Sequence, residues 1–270
     1  MSNKIENLQD LATKWGNESS KRNGTTCRWV KLHAEGWGMD QYPQYKISSK
    51  VLKMWYDQNY DEIPLPGQIL TSSFNNDSGG VGSAVFKKSK QTTTSFTWSI
   101  TEGLELGISQ EITAGVPGVA QSKTTLSAKI SLSATQGETK SETNTWEIDR
   151  TISVPPHTSI EMTWAINEAK ITATFYADIE ITGFFAIWNN DKVNGHWLYF
   201  VPVANAFREM QEWGMSIPSQ FSIQGNSVIY HAKGECAGQS GLNDVFSVKN
   251  TEGSEMLFSN MPVKVSTENL

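Results

Sequence analysis

Cysteine is scarce in this chain: Cys27 and Cys236 are the only two among 270 residues. That excludes a disulfide framework, and the two lack the paired spacing of a zinc site, so they form one bridge or none. Histidine is equally sparse. His33, His157, His196 and His231 stand apart, with no H-E-x-x-H and no His/Cys pair at ligand spacing, which argues against a catalytic metal. There is no G-x-S-x-G elbow, no Walker loop and no dinucleotide-binding glycine fingerprint. The carboxylates Asp57, Asp61 and Glu62 of "YDQNYDE" match no calcium loop and read as a solvated turn. The expectation is a protein that is not an enzyme and carries no cofactor and no metal.

Positive charge is also in short supply. The net charge is -6, and Lys and Arg are scattered, so no footprint for nucleic acid is present. Long apolar runs are missing as well. Nothing approaches a transmembrane helix, and "MSNKIENLQDLATKWGNESS" has no apolar core for a signal peptide. The chain is expected to be made without an evident signal peptide, then released or secreted.

Alternation at a period of two dominates, so the fold class is mainly β. Three helices are expected: residues 3–15, with Ile5, Leu8, Leu11, Ala12 and Trp15 at helical spacing; Ser48 to Tyr56; and Val203 to Gly214, with Gly214 placed to stop it. "NNDSGG" (75–80) and "NNDKVNG" (189–195) supply turns. Between Thr92 and Thr145, 20 of 54 residues are Ser or Thr, and no aromatic lies between Trp98 and Trp146. Aromatic segments flank this lean middle. Trp15, Trp29, Trp37, Tyr42, Tyr45, Trp55, Tyr56 and Tyr60 fall before residue 65, and Phe184, Phe185, Trp188, Trp197, Tyr199 and Phe200 come later.

Within the lean middle, "LELGISQEITAGVPGVAQSKTTLSAKISLSA" (104–134) alternates on both sides of a small, uncharged tip. Leu104, Leu106, Ile108, Ile112, Val116, Val119, Leu126, Ala128, Ile130 and Leu132 make an apolar set suited to lipid, whereas Glu105, Glu111, Lys123 and Lys129 belong to the wet face. Each arm has about the 9 to 11 residues of a transmembrane β-strand. Any half-buried soluble strand alternates too, so the uncharged tip and the Ser- and Gly-rich polar face carry the reading. Hairpin partners must show the same face, so paired residue numbers must sum to an even value. A sum of 238 sets Leu106 opposite Leu132 and Glu111 diagonal to Lys129, and sums of 236 and 240 also keep the faces aligned. A lone hairpin in lipid leaves two edges of unpaired backbone, so only a closed barrel built by several chains escapes that cost.

The strands "SKQTTTSFTWSITEGLELGIS", the tip "AGVPGVAQSK", the return "TTLSAKISLSATQGETKSETNTWEI" ending in "VPP", and "AKGECAGQSGLNDVFSV" together resemble the aerolysin-like β-pore-forming toxins. The likeness is to the epsilon-toxin/Mtx2 and hydralysin-like branch. It implies an elongated fold of long twisted antiparallel strands with a small α+β head and an amphipathic insertion hairpin. It also implies a soluble monomer that binds a glycan, lipid or glycoprotein receptor, forms a homo-oligomer that is commonly heptameric, and inserts a β-barrel into the target-cell membrane. On this reading residues 1–65 plus 184–222 form the receptor-binding head, 66–183 plus 223–270 the β body, and 104–134 the hairpin. The head's aromatics Trp29, Trp37, Tyr42, Tyr45, Trp55, Tyr56 and Tyr60 are the candidate receptor contacts. The alternative is a non-lytic, carbohydrate-binding defence protein with the same architecture.

Overall fold

A computed structural model of the chain describes residues 4–32, 41–59, 61–107, 109–117, 126–134 and 136–251, and the backbone of 256–258 and 265–268. Its elements are β1 (Lys4–Asn7), α1 (Leu8–Arg22), β2 (Cys27–Lys31), β3 (Ser48–Tyr56), β4 (Asp61–Asn76), β5 (Gly82–Glu105), β6 (Glu111–Gly115), β7 (Ser127–Ser131), β8 (Glu138–Val154), β9 (Thr158–Thr182), β10 (Phe184–Val193), β11 (His196–Pro202), α2 (Val203–Glu212), β12 (Phe221–Gln224), β13 (Ser227–Asn250), β14 (Met256–Phe258) and β15 (Val265–Glu268). The long strands are antiparallel, and their order across the main sheet is β15-β8-β5-β13-β9-β3, with β4 continuing along β9 beyond β3.

The sheet divides along its length. β13 pairs with β5 only from Gln239 opposite Ser95 to Lys233 opposite Glu102, so residues 82–94 of β5 have β8 as their ladder partner and leave the other edge open. There two sheets face each other. Ala84, Phe86, Trp146, Ile148 and Val154 on one interdigitate with Ile160, Met162, Trp164, Phe246 and Val248 on the other. Lys88 and Lys90 share the parity of inward-facing Phe86 and Thr92 yet are exposed, a placement that blunts an open strand edge. A second, larger core lies towards the hairpin, where α1, α2 and the hairpin cover the undivided sheet. Buried polar groups sit between the two cores. Trp146 Nε1 donates to Thr92 Oγ1 (2.8 Å), Asn144 Nδ2 to Thr94 Oγ1 (2.9 Å), and Thr94 and Ser240 share a hydroxyl contact of 3.2 Å.

At one end β11, β10 and β2 form a separate three-stranded sheet. Of the expected turn 189–195, Asn194 and Gly195, both at positive φ, close the β10–β11 hairpin, while Asn189 to Val193 belong to β10. α2 ends before Gly214, at φ +67. α1 begins at Leu8 rather than residue 3, because Asn7 caps it by accepting from Asp10 N–H at 3.2 Å, and Ile5 belongs to β1.

Two expectations need correction. Ser48 to Tyr56 is a strand paired with β9, not a helix, and a register shift between Val51 and Lys53 hides its alternation. For the same reason the stretch 48–65 lies on the edge of the body sheet rather than in the head.

β9 passes into β10 through Gly183, at φ +103, where a Cβ would stand 2.3 Å from the Lys46 carbonyl oxygen. Gly183→Ala combines a disfavoured φ with that clash. It is expected to cost more than about 1 kcal/mol, read as an earlier midpoint in urea unfolding.

Candidate functional site: the docked hairpin and the aromatic face

β6 and β7 form a two-stranded ladder that joins no other strand among the described residues. Glu111 pairs with Ser131, Ile112 with Ile130, Thr113 with Lys129, Ala114 with Ala128, and Gly115 with Ser127. These numbers add to 242, so the expected parity holds while the expected sum of 238 does not. Apolar and wet faces separate as the alternation requires. Leu104, Leu106, Ile112, Ala114, Ala128, Ile130 and Leu132 are buried in the larger core, and Val116 and Leu126 are half-buried against it. Glu105, Glu111 and Lys129 are exposed. Ile108, Val119 and Lys123 lie outside the described residues.

The arms are not continuous strands. β5 ends at Glu105, and Gly107 turns the chain at φ +74 before β6 begins. Leu132 closes this loop from both sides: its carbonyl accepts from Leu104 N–H at 3.0 Å, and its own N–H donates to the Gln110 carbonyl at 2.9 Å. The base of the hairpin is clamped from below. Tyr230 hydroxyl donates to the Gly103 carbonyl at 2.6 Å, and β1 pairs in parallel with β5 at Glu102 to Glu105.

Side chains fasten the ladder to the body. The Tyr56 hydroxyl donates to the Gly115 carbonyl at 2.5 Å, and Trp98 Nε1 reaches both that hydroxyl (2.9 Å) and the same carbonyl (3.2 Å). Ser49 Oγ donates to Gln110 Oε1 at 2.5 Å. Beneath this latch the buried Cys236 sits opposite Trp98, and burial pushes its thiol up to about 12. Burial likewise raises the Tyr56 phenol, so it stays a neutral donor. Cys27 and Cys236 are both free thiols.

Tyr56, expected at a receptor, thus faces the hairpin. Sequence pattern gave no sign of this, since its partner is a backbone carbonyl at the far end of a loop. The other candidate aromatics divide. Trp29 stands opposite Trp188 in the β2–β10 pair, ring centroids 5.5 Å apart. Tyr45 stacks on Phe200 at 4.3 Å and meets Phe184 edge-on, and Tyr42 lies 5.0 Å from Phe200. These half-exposed rings cover one face of the three-stranded sheet, whose other face packs Phe185, Ile187 and Val30 into the core. Trp55 is elsewhere, exposed on β3, stacked on Tyr176 with Lys53 Nζ 4.4 Å from its ring. Trp37 and Tyr60 lie outside the described residues.

One polar row crosses the outer face of the body. Ser222 Oγ lies 2.9 Å from His231 Nε2, and His231 Nδ1 lies 2.7 Å from Asp178 Oδ1. Lys53 Nζ pairs with the other Asp178 oxygen at 3.2 Å, so the row ties β12, β13, β9 and β3 together as cross-strand polar pairs do.

A long antiparallel sheet that splits into two, with an amphipathic ribbon laid against it by side chains alone, defines the aerolysin-like class of β proteins. The chain belongs to the family described as Clostridium epsilon toxin ETX/Bacillus mosquitocidal toxin MTX2, which matches residues 45–261. It is 25% identical over 260 residues to a cytotoxin of Pseudomonas aeruginosa, covering 88% of this chain and 87% of that protein. Its fold is similar to that of the Mpp75Aa1.1 β-pore-forming protein from Brevibacillus laterosporus, at TM-score 0.67 and 15% identity over 98% and 97% of the two chains. It is also similar to a chain of the Cry23Aa1–Cry37Aa1 binary complex, at TM-score 0.63 and 17% identity over 97% and 99%. Family and relative identify a member of a toxin family.

Tyr56→Phe removes the bond donated to Gly115 and the one accepted from Trp98 Nε1, while Trp98 keeps its own bond to the Gly115 carbonyl and the ring stays in place, a net loss of about 1 kcal/mol from the latch. Backbone amides of residues 111–115 should then exchange with solvent about fivefold faster, measured by hydrogen–deuterium exchange. An unchanged rate would show that the latch does not limit hairpin opening.

Proposed function

We propose that this protein is released as a soluble monomer, attaches to a receptor on the target-cell membrane, assembles into a ring and inserts its hairpins as a transmembrane β-barrel. The observation that carries this reading is a ribbon whose described apolar residues are buried or half-buried against the body but whose backbone ladder is its own. Five large side chains (Leu104, Leu106, Ile112, Ile130, Leu132) are out of water. At roughly 1.5 to 3 kcal/mol each, they hold the hairpin down by on the order of 8 to 15 kcal/mol. Lipid offers the same burial. Release therefore exchanges one apolar contact for another, and no sheet has to be torn from the body.

Backbone bonds call for more than one copy. Each chain brings two strands with two free edges, and in hydrocarbon every unpaired backbone group costs several kcal/mol. Closure by several copies pairs every edge, and a heptameric ring is the assembly that the family resemblance suggests. The activity proposed is mechanical and calls for no catalytic group.

The aromatic face of the three-stranded sheet is the proposed attachment surface. Trp29, Trp188, Tyr42 and Tyr45 present flat apolar rings with polar edges, a chemistry suited to sugar rings or lipid headgroups. A non-lytic carbohydrate-binding role is the less favoured reading, given the family and the cytotoxin relative.

Calcein release from loaded vesicles and cell ghosts, with negative-stain electron microscopy of the same membranes, tests the proposal: stemmed rings and leakage are expected. Attachment without leakage would favour the carbohydrate-binding reading. Trp29→Ala and Trp188→Ala should lower attachment to cells while leaving leakage from receptor-free vesicles intact. Loss of both together would indicate misfolding instead. Glu105, Glu111 and Lys129 are exposed in the soluble fold, so they can be changed without disturbing its core. Lys129→Ser should move the reversal potential of planar-bilayer channels towards cation selectivity and Glu111→Ser the other way; unchanged potentials for both would place these side chains outside the lumen.

A further inference from the structure

The hairpin holds two registers at once. Throughout β5–β8 the paired residue numbers add to 236, from Gly82 with Val154 to Trp98 with Glu138. The Leu104 N–H to Leu132 carbonyl bond keeps that sum. In β6–β7 the numbers add to 242, and the bond from Leu132 N–H to the Gln110 carbonyl starts this second register. The offset between 236 and 242 is six residues, all in the outgoing arm: Glu105 to Gln110 are inserted between the Leu104–Leu132 contact and the Glu111–Ser131 pair, while the return arm steps from Leu132 to Ser131 with nothing inserted.

We propose that insertion converts the second register into the first. The β6–β7 ladder breaks, the outgoing arm slides past the return arm by the length of the loop, and residues 105–110 become strand. β5 and β8 then run through the hairpin as one uninterrupted ladder. This inference rests on the pore-forming reading above.

Four observations converge on it. A six-residue bulge within a barrel would leave backbone groups unpaired where water is absent, and the slide removes it. The offset is even, so every side chain keeps its face; an odd slide would turn one arm over against the other, so that Leu106 would share a face with Lys129 and Glu105 with Ile130. The soluble ladder spans only Glu111 to Gly115, short of the roughly 9 to 11 residues a tilted strand needs, whereas the new one runs from Leu104 to Val116. Sequence supplies the fourth. A sum of 236 centres the hairpin on Gly118, within Pro117-Gly118-Val119, while 242 centres it on Gln121; proline and glycine are the turn formers. Gly107, at φ +74 in the loop, has the freedom to relax into an extended strand. The slide also changes charge neighbours. Lys129, opposite Thr113 in the soluble fold, comes to face Gly107 with Glu105 on its diagonal.

Cysteine pairs read the register directly. Odd-numbered positions are the non-hydrogen-bonded pairs in both registers, because Leu104 with Leu132 and Val116 with Leu126 carry the bonds, and such pairs have the short Cα separation that a disulfide bridges. Thr113→Cys/Lys129→Cys reports the soluble register and Ser109→Cys/Ser127→Cys the slid one. All four positions are exposed. Cys27→Ser removes the half-buried native thiol, and Cys236 is fully buried.

Oxidation in solution should link 113 to 129 and leave 109 and 127 free. Oxidation of pores formed on phosphatidylcholine–cholesterol vesicles or on cell ghosts should reverse this. Protein already linked between 113 and 129 should lose calcein release and regain it on reduction. Linked protein that still leaks, or pores in which 109 and 127 fail to link, would overturn the slide and leave the pore reading standing. A reduced parent that releases no calcein from either membrane overturns both.

Discussion

Backbone amides and carbonyls in a sheet must find partners, and a two-stranded ribbon leaves both outer edges without them. In water β6–β7 tolerates this because its edges are solvated while its apolar side chains are not. Inside lipid the condition inverts: side chains are satisfied anywhere and the edges become intolerable. The hairpin is built in a way that suits the proposed insertion. It packs by side chains, so that leaving the body breaks few backbone bonds, and it is held by a handful of directed contacts from Tyr56, Trp98 and Ser49. A hairpin knitted into the main sheet would be more secure and useless for insertion.

The clamps at the base work differently from the latch nearer the tip. Tyr230 and β1 hold Gly103, the last point at which β5 follows the body, and a Cβ there would meet the Leu132 carbonyl oxygen at 2.2 Å. That close approach fixes where the hairpin starts. The Tyr56 contact fixes only whether it stays down. One end is therefore a hinge and the other a catch, and a change at either has a different signature.

Parity of the hairpin was legible from residues alone, because a buried face tolerates no odd register. So were the Asn194–Gly195 turn and the α2 helix with its terminal Gly214, where local chemistry and tertiary position agree. Register itself was not legible. Residues 105–110 keep the same alternation in a loop that they would keep in a strand, so nothing in their pattern marks the excursion. "SSKVLKMWY" failed for a related reason: the shift between Val51 and Lys53 breaks its period of two and leaves an ambiguous apolar run. Aromatic content pointed to the head, and Trp29, Tyr42 and Tyr45 do meet there with Trp188 and Phe200. Tyr56 shows the limit of that argument, since composition cannot tell a ring facing a receptor from one facing a carbonyl.

Surface loops ordinarily accept insertions and deletions of any length, because solvent sets no period. On the proposed slide, the Glu105 to Gln110 loop is a loop only while the hairpin is docked. If it later becomes strand, its length is read out as a choice between faces, and a single added or lost residue would leave the docked fold nearly unaffected while setting the apolar face of one arm against the wet face of the other in the barrel. Descent should therefore have edited this loop in steps of two. On that reading the stretch that looks freest in the docked fold carries an arithmetic constraint imposed by the membrane.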